Sequence, residues 1–272
     1  MKKQGFLAVI FLIAVLPSMA ATVEISTTHP QVAHVLDHMA QLYGQGHKSA
    51  SPWTVKSLFK MKNAHHFEPT ISDLKKLMRS SPLIAGPLHH QGWVTKAEKS
   101  GMLPKAHLLL TKSNISDEHF WLETKAACQT EDLLREKINL WSNSQYTENK
   151  WCQWIEKEVL AIGEELQVKK IKRIILAHSA LKKLFQSLGM EVLVLRSEDH
   201  HQEVSMSILK TAMAWLEEGE AKKVLMIKED GFSFPLGLQR KDRFLINWSS
   251  LVNRPEPLTS LKESISKLQE NY

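Results

Sequence analysis

Ile171-Lys172-Arg173-Ile174-Ile175-Leu176-Ala177-His178 is a short apolar run closed by a histidine. Leu181 to Leu188 follows with apolar residues at helical spacing and stops at Gly189. Glu191-Val192-Leu193-Val194-Leu195 is a second apolar run, again short and bounded by polar residues. Strand, helix and strand in such close succession predict an α/β unit with a mainly parallel sheet. The pattern continues towards the C-terminus. A helix is expected from Val204 to Glu217, strands at Val224–Ile227 and Phe244–Ile246, and a polar helix from Leu258 to Gln269.

Upstream, the same alternation occurs once more. A strand is expected at Thr22–Ile25, then a helix with Val32, Val35, Leu36, Met39 and Leu42 on one stripe, then a strand at Trp53–Phe59. Ser72-Asp73-Leu74-Lys75-Lys76-Leu77 opens a further helix. Pro82–Gly86 and His107–Leu110 read as short buried strands. Between the two α/β stretches, Trp121 to Leu166 shows only helical periodicity, broken near Ser142-Asn143-Ser144. Tyr146–Leu166 carries Trp151, Ile155, Val159 and Ile162 at helical spacing and predicts one long helix. The expected fold is α/β with two lobes, each a mainly parallel sheet flanked by helices. The expected boundaries are 21–143 for the first lobe, 144–167 for a joining helix and 168–272 for the second lobe. No repeat of fixed period is visible.

Composition narrows the function. The chain has 272 residues, 43% of them hydrophobic, with 24% charged and 11 Gly, which excludes disulfide-stapled mini-proteins, collagen-like chains and disordered tails. The net charge is +6, and Lys2 and Lys3 contribute to it before the fold begins. No basic stripe remains to hold nucleic acid. Lys169-Lys170-Ile171-Lys172-Arg173 reads as a solvated strand edge. Lys2, Lys3, the apolar run Phe6–Leu16 and the small residues Ser18 and Ala20 form a secretory signal pattern with cleavage expected after Ala20. That run is too short to span hydrocarbon, which takes roughly 20 residues, and no cysteine follows the cut to carry a lipid. A soluble periplasmic protein is expected. Cys128 and Cys152 are either one disulfide or two buried thiols.

The unusual count is 13 His. His65 and His66, His119, and His178 all stand where strands hand over to helices, the edge of an α/β sheet where ligands gather. Taken singly, each is more simply a capping or surface residue. Imidazoles brought together from separate loops suit zinc. His34 and His38 stand one helical turn apart but lack the adjacent Glu of a zinc-protease helix, and read as an exposed flank. His89-His90 and His200-His201 read as surface pairs or auxiliary loading sites at a cleft rim. Trp151, Trp154 and Trp215 fit helix packing. No general base for metal-assisted hydrolysis is identifiable, so an enzyme is not expected.

Three of these contexts carry a resemblance. Ala64-His65-His66-Phe67-Glu68-Pro69-Thr70-Ile71-Ser72-Asp73 resembles the His-x-Tyr-Glu-Pro-x-x-x-Asp motif of the zinc and manganese solute-binding proteins of ABC transporters. Asp117-Glu118-His119-Phe120-Trp121-Leu122 is similar to that family's Asp-Pro-His-x-Trp-Leu, and Leu176-Ala177-His178-Ser179-Ala180 to its strand-His-x-Ala element. The resemblance implies two lobes bridged by a rigid helix, with a metal ion in the cleft. It implies His65 and His119 as ligands from the first lobe and His178 from the second, with His66 a neighbour. Departures are visible. Glu118 replaces the motif's Pro, the His-rich acidic loop of many zinc-specific members is absent, and the stretch after Val224–Ile227 looks shortened. The fourth ligand has no clear equivalent; Glu229 is the candidate, with Asp230, Asp242, Glu68, Glu118 or a water as alternatives. Three imidazoles favour Zn2+ over Mn2+. The implied function is zinc transport: capture of the ion by a monomer and delivery to an ABC permease in the inner membrane. The alternatives are a periplasmic zinc buffer or metallochaperone, and a degenerate member that has lost metal and binds a protein.

Overall fold

The computed structural model describes residues 22–46, 51, 53–59, 67–87, 92–111, 119–196, 204–218, 223–228, 234, 238, 244–248 and 256–268. Two sheets of four parallel strands form the two lobes. The first contains β1 (Val23–Thr27), β2 (Trp53–Ser57), β3 (Leu83–Ala85) and β4 (His107–Leu109), in the order β2-β1-β3-β4. The second contains β5 (Ile171–Leu176), β6 (Glu191–Val194), β7 (Lys223–Lys228) and β8 (Phe244–Asn247), in the order β6-β5-β7-β8. Parallel neighbours need crossover connections, and helices supply them. In the first lobe these are α1 (Pro30–Gly46), α2 (Ile71–Arg79) and α3 (Gly92–Lys99). In the second they are α6 (Lys182–Ser187) and α7 (Met206–Glu217).

Two long helices, α4 (Thr124–Ser142) and α5 (Lys150–Val168), stand between the sheets, and α8 (Pro257–Ser266) returns to pack on α5. One apolar core runs through both lobes. It joins Ile25, Leu36 and Trp53 of the first to Ile174, Leu225 and Ile246 of the second through Trp151, Ile155, Val159 and Ile162 of α5. The apolar stripe of α5 is therefore buried on two sides. Smaller cores lie outside each sheet, one around Leu77, Leu83 and Val94, the other around Ile175, Ala212 and Met226.

The start of α5 is fixed by a buried carboxylate. Glu131 of α4, fully shielded from solvent, accepts hydrogen bonds from the Tyr146 hydroxyl (2.8 Å), the Trp151 N–H (3.1 Å) and the Cys152 N–H (2.7 Å). It thereby satisfies donors that a helix N-terminus otherwise leaves open. Burial pushes the Glu131 carboxyl up, while those donors pull it down; burial and the neighbouring Glu131 hold the Tyr146 hydroxyl far above its usual range. Beside this network, Cys128 and Cys152 form a disulfide that ties α4 to α5. That closes the alternative of two separate thiols.

Several sequence readings shift. The helix expected from Tyr146 begins at Lys150, because Tyr146 is drawn aside as a buried partner of Glu131. Helix α3 has no counterpart in the sequence reading: only Val94 and Ala97 of its eight residues are buried, too few to mark a period. The basic stretch at 169–173 is not a solvated edge throughout. Arg173 is buried, donates to Glu191 and Glu218, and lies 5.1 Å from the Trp215 ring, while the Lys169 ammonium donates to the Leu268 carbonyl at 2.8 Å.

Candidate metal-binding cleft

Each sheet presents a histidine two residues beyond its first strand. After β1 the chain reads Thr28-His29-Pro30, and after β5 it reads Ala177-His178-Ser179. Both imidazoles cap the segment that comes next. His29 Nδ1 accepts the Gln31 N–H at 3.2 Å, and His178 Nδ1 accepts the Ala180 N–H at 3.3 Å. In the strand order shared by the two sheets, the first strand is flanked by the second on one side and the third on the other. The crevice at its carboxyl end is therefore the switch point where α/β sheets bind ligands.

His119 arrives from the first lobe, on the connection from β4 to α4. It is held by the residues immediately after it. Phe120, Trp121 and Leu122 form a buried 3-10 turn, the Leu122 N–H donates to the His119 carbonyl at 2.8 Å, and Glu123 caps α4 by accepting from Lys125 and Ala126. The apolar trio enters the core, and the histidine before it is left half-buried. Its ring meets His178 of the second lobe, with centroids 6.4 Å apart and the planes at 77°. Zinc–nitrogen distances of about 2.0–2.1 Å place the centroids of two tetrahedral imidazole ligands about 5 Å apart. The pair, one histidine from each lobe, stands at slightly more than that separation.

His65, His66 and Glu229 lie outside the described residues, as do Glu118, Asp230, Asp242 and the pairs His89-His90 and His200-His201. The residues flanking 60–66 are described, however. Phe59 and Phe67 touch, with ring centroids 5.0 Å apart, and Trp93 of α3 covers both at 5.6 and 6.0 Å. Phe59 and Phe67, the described residues on either side of that segment, thus meet in one aromatic cluster beyond the carboxyl end of β2. Downstream, Thr70 and Asp73 cap α2 reciprocally: the Thr70 hydroxyl accepts the Asp73 N–H, and the Asp73 carboxylate accepts the Thr70 N–H and O–H. Glu68 is exposed. Among the described residues alone, no three His, Cys, Asp or Glu side chains are close enough to hold an ion.

The sequence reading overlooked His29. It is buried, and its ring lies 5.7 Å from Trp121, which also neighbours His119 at 5.9 Å. The signal that could have found it is its place just past the first strand, the position His178 has in the second lobe. His34 and His38 also depart from expectation: both are half-buried rather than an exposed flank, and the His38 ring meets Trp154 edge-on at 4.3 Å.

No protein-family profile matches the sequence, and no characterised protein matches it by sequence. Solved structures do. A crystal structure of ZnuA superposes with a TM-score of 0.64 at 16% identity, covering 90% of this chain and 97% of the other. The AdcAII protein of Streptococcus pneumoniae gives 0.64 at 15% identity, covering 91% and 98%. A manganese-bound periplasmic metal-binding protein from Candidatus Liberibacter asiaticus gives 0.64 at 15%, covering 90% and 98%. At these identities the likeness is one of fold, and it extends over nearly the whole of each molecule.

Proposed function

We propose that this chain is a divergent extracytoplasmic metal receptor that captures zinc between its lobes and delivers it to an ABC permease. The observation that carries the reading is the meeting of His119 and His178, one from each lobe, across the cleft. The fold shared with ZnuA and the manganese-bound protein supports it. So do the three motifs in their order along the chain. On this reading the lobes comprise 21–143 and 168–272 with 144–167 between them, and the chain is exported after cleavage behind Ala20. His65, which lies in sequence between Phe59 and Phe67, supplies the third imidazole and Glu229 or water the fourth position. Zinc is favoured over manganese because imidazole nitrogens suit it better than oxygen-seeking ions.

Capture requires no chemistry beyond ligand exchange. Neutral imidazoles replace water around the ion, and protons compete for the same nitrogens, so affinity falls on acidification. His178 adds a specific consequence. Its Nδ1 accepts the Ala180 N–H, which places the single proton of the neutral ring on Nε2. Coordination through Nε2 moves that proton to Nδ1 and breaks the Ala180 bond, so zinc loosens the turn at Ser179–Leu181.

The deciding experiment is a chelator-competition titration of zinc into metal-stripped protein beginning at Ala21, beside His65→Ala and His178→Ala. One tight equivalent that disappears in both variants, and weakens between pH 7.5 and pH 5, is expected. Binding that survives both substitutions would refute the cleft. Transfer of bound zinc to vesicles carrying the cognate permease, and not to a soluble apo-enzyme, separates import from chaperoning.

A further inference from the structure

Trp121 stands between two sets of imidazoles. On one side its ring neighbours His119; on the other it lines a cavity of about 20 Å³ with His34, His38 and Trp154. The cavity lies where α1, α5 and α8 meet, and its size suits one water or one ion. His34 and His38 are four residues apart on α1, which sets their Cβ atoms roughly 5–6 Å apart on one face. That is the spacing by which helical histidines chelate zinc.

Two further features point to an occupant. Trp121 is 6% exposed, and its indole N–H has no hydrogen-bond partner among the described residues. A buried donor left unmet is costly, and the oxygen of a metal-bound water in this cavity answers it. The surrounding charge is negative. Glu158 and Glu256 act on His38, and Asp37 acts on His34; Glu158 is paired with Lys262 at 2.8 Å, which leaves Glu256 and Asp37 uncompensated among the described residues.

We propose that His34 and His38 form a second, weaker site for a borderline transition-metal cation of the zinc, nickel or copper class. No third His, Cys, Asp or Glu among the described residues completes a protein cage, so water fills the remaining positions and affinity stays below that of a three-imidazole cleft. The site does not depend on the cleft reading, since it shares no ligand with it.

The test uses untagged, metal-stripped protein beginning at Ala21, titrated with Ni2+ and Cu2+ by equilibrium dialysis, with tryptophan fluorescence as a second readout. Wild-type protein is expected to show a tight and a weak class, the weak class quenching emission through Trp121 and Trp154. His34→Ala and His38→Ala should each remove the weak class and its quenching and leave the tight class intact. His119→Ala should do the reverse. Should His38→Ala fail to fold for want of its Trp154 contact, His34→Ala decides alone. A single class in wild type, or a weak class untouched by His34→Ala, would overturn the proposal. A tight class unchanged by His119→Ala would sink the cleft and leave this pair standing.

Discussion

The two lobes are wound alike and put the same position to different use. Both sheets run second-first-third-fourth, and both place a histidine two residues beyond the first strand, capping the next segment through Nδ1. In the second lobe that histidine, His178, opens onto the cleft and meets His119. In the first lobe its counterpart, His29, is buried against Trp121. The difference arises from the chain that crosses the carboxyl end of each sheet. In the first lobe Trp121 of the 3-10 turn Phe120–Leu122 lies against buried His29, and the imidazole that meets the second lobe is the half-buried His119 just before that turn. Topology thus provides two equivalent positions; at one the histidine is covered by an apolar turn, and at the other it stays half-buried.

Zinc affinity is the sharpest way to break this comparison. His178→Ala removes a proposed ligand and is expected to cost more than the roughly 10–100-fold that changes in supporting residues cost. His29→Ala removes the contact with Trp121 and the cap on the Gln31 N–H, and should fall within or below that range, with the stoichiometry kept. Competition titrations of both variants decide it. Equal losses would mean that the lobes are symmetric in function as well as in winding, with His29 itself reaching the ion.

The lobes also differ in how they are tied to the central helix. On the first-lobe side, α4 is bound to α5 by the Cys128–Cys152 disulfide and by Glu131; on the second-lobe side, α8 relies on apolar packing and on Lys262 and Thr259 reaching Glu158. Cys128 and Cys152 are 24 residues apart, and closing a loop of that length in the unfolded chain is worth about 3.5 kcal/mol. Cys128→Ser with Cys152→Ser should therefore lower unfolding stability by about that much, read from urea midpoints. Glu131→Ala leaves buried donors unmet and should cost about 3 kcal/mol. If the double cysteine variant loses nothing, the joint at α4 and α5 rests on the Glu131 network alone.

Legibility in the chain depends on which residues answer to a period. Most of the eight described strands were readable as compact apolar runs between polar residues, although β1 and β2 are mixed with polar side chains, and α5 because its buried stripe repeats at helical spacing. Helix α3 was not, since a short helix on the outer face of a sheet buries too few side chains to set a rhythm. The joint at α5 was missed for a different reason. Nothing local marks Glu131 as the cap of a helix that begins at Lys150, because that contact exists only once α4 and α5 are packed. The same holds at the cleft. His119 and His178 stood out through their neighbours in sequence, whereas His29 and the half-buried pair His34 and His38 take their meaning from Trp121, which reaches them only in three dimensions.

The smallest expected effect tests how the first lobe presents its remaining histidine. The second lobe carries His178 just past a strand end, whereas the proposed first-lobe ligand His65 lies between the Phe59–Phe67 contact and the capping box of α2 along the chain. The Thr70 hydroxyl first, and then its backbone N–H, hold the Asp73 carboxyl below its ordinary range. A carboxylate with a depressed folded-state pKa stabilises fully above the unfolded value of about 3.9 and loses that contribution as pH falls through the folded value. Thr70→Ala should thus cost about 1 kcal/mol at neutral pH. The gap to wild type should narrow as Asp73 protonates in strong acid, below about pH 4. Urea midpoints at pH 7 and pH 3 measure the stability, and zinc titration at pH 7 measures the site. A stability loss with unchanged zinc affinity would show that the aromatic contact alone positions the segment. A matching loss of affinity would show that the start of α2 is part of what holds His65 to the cleft.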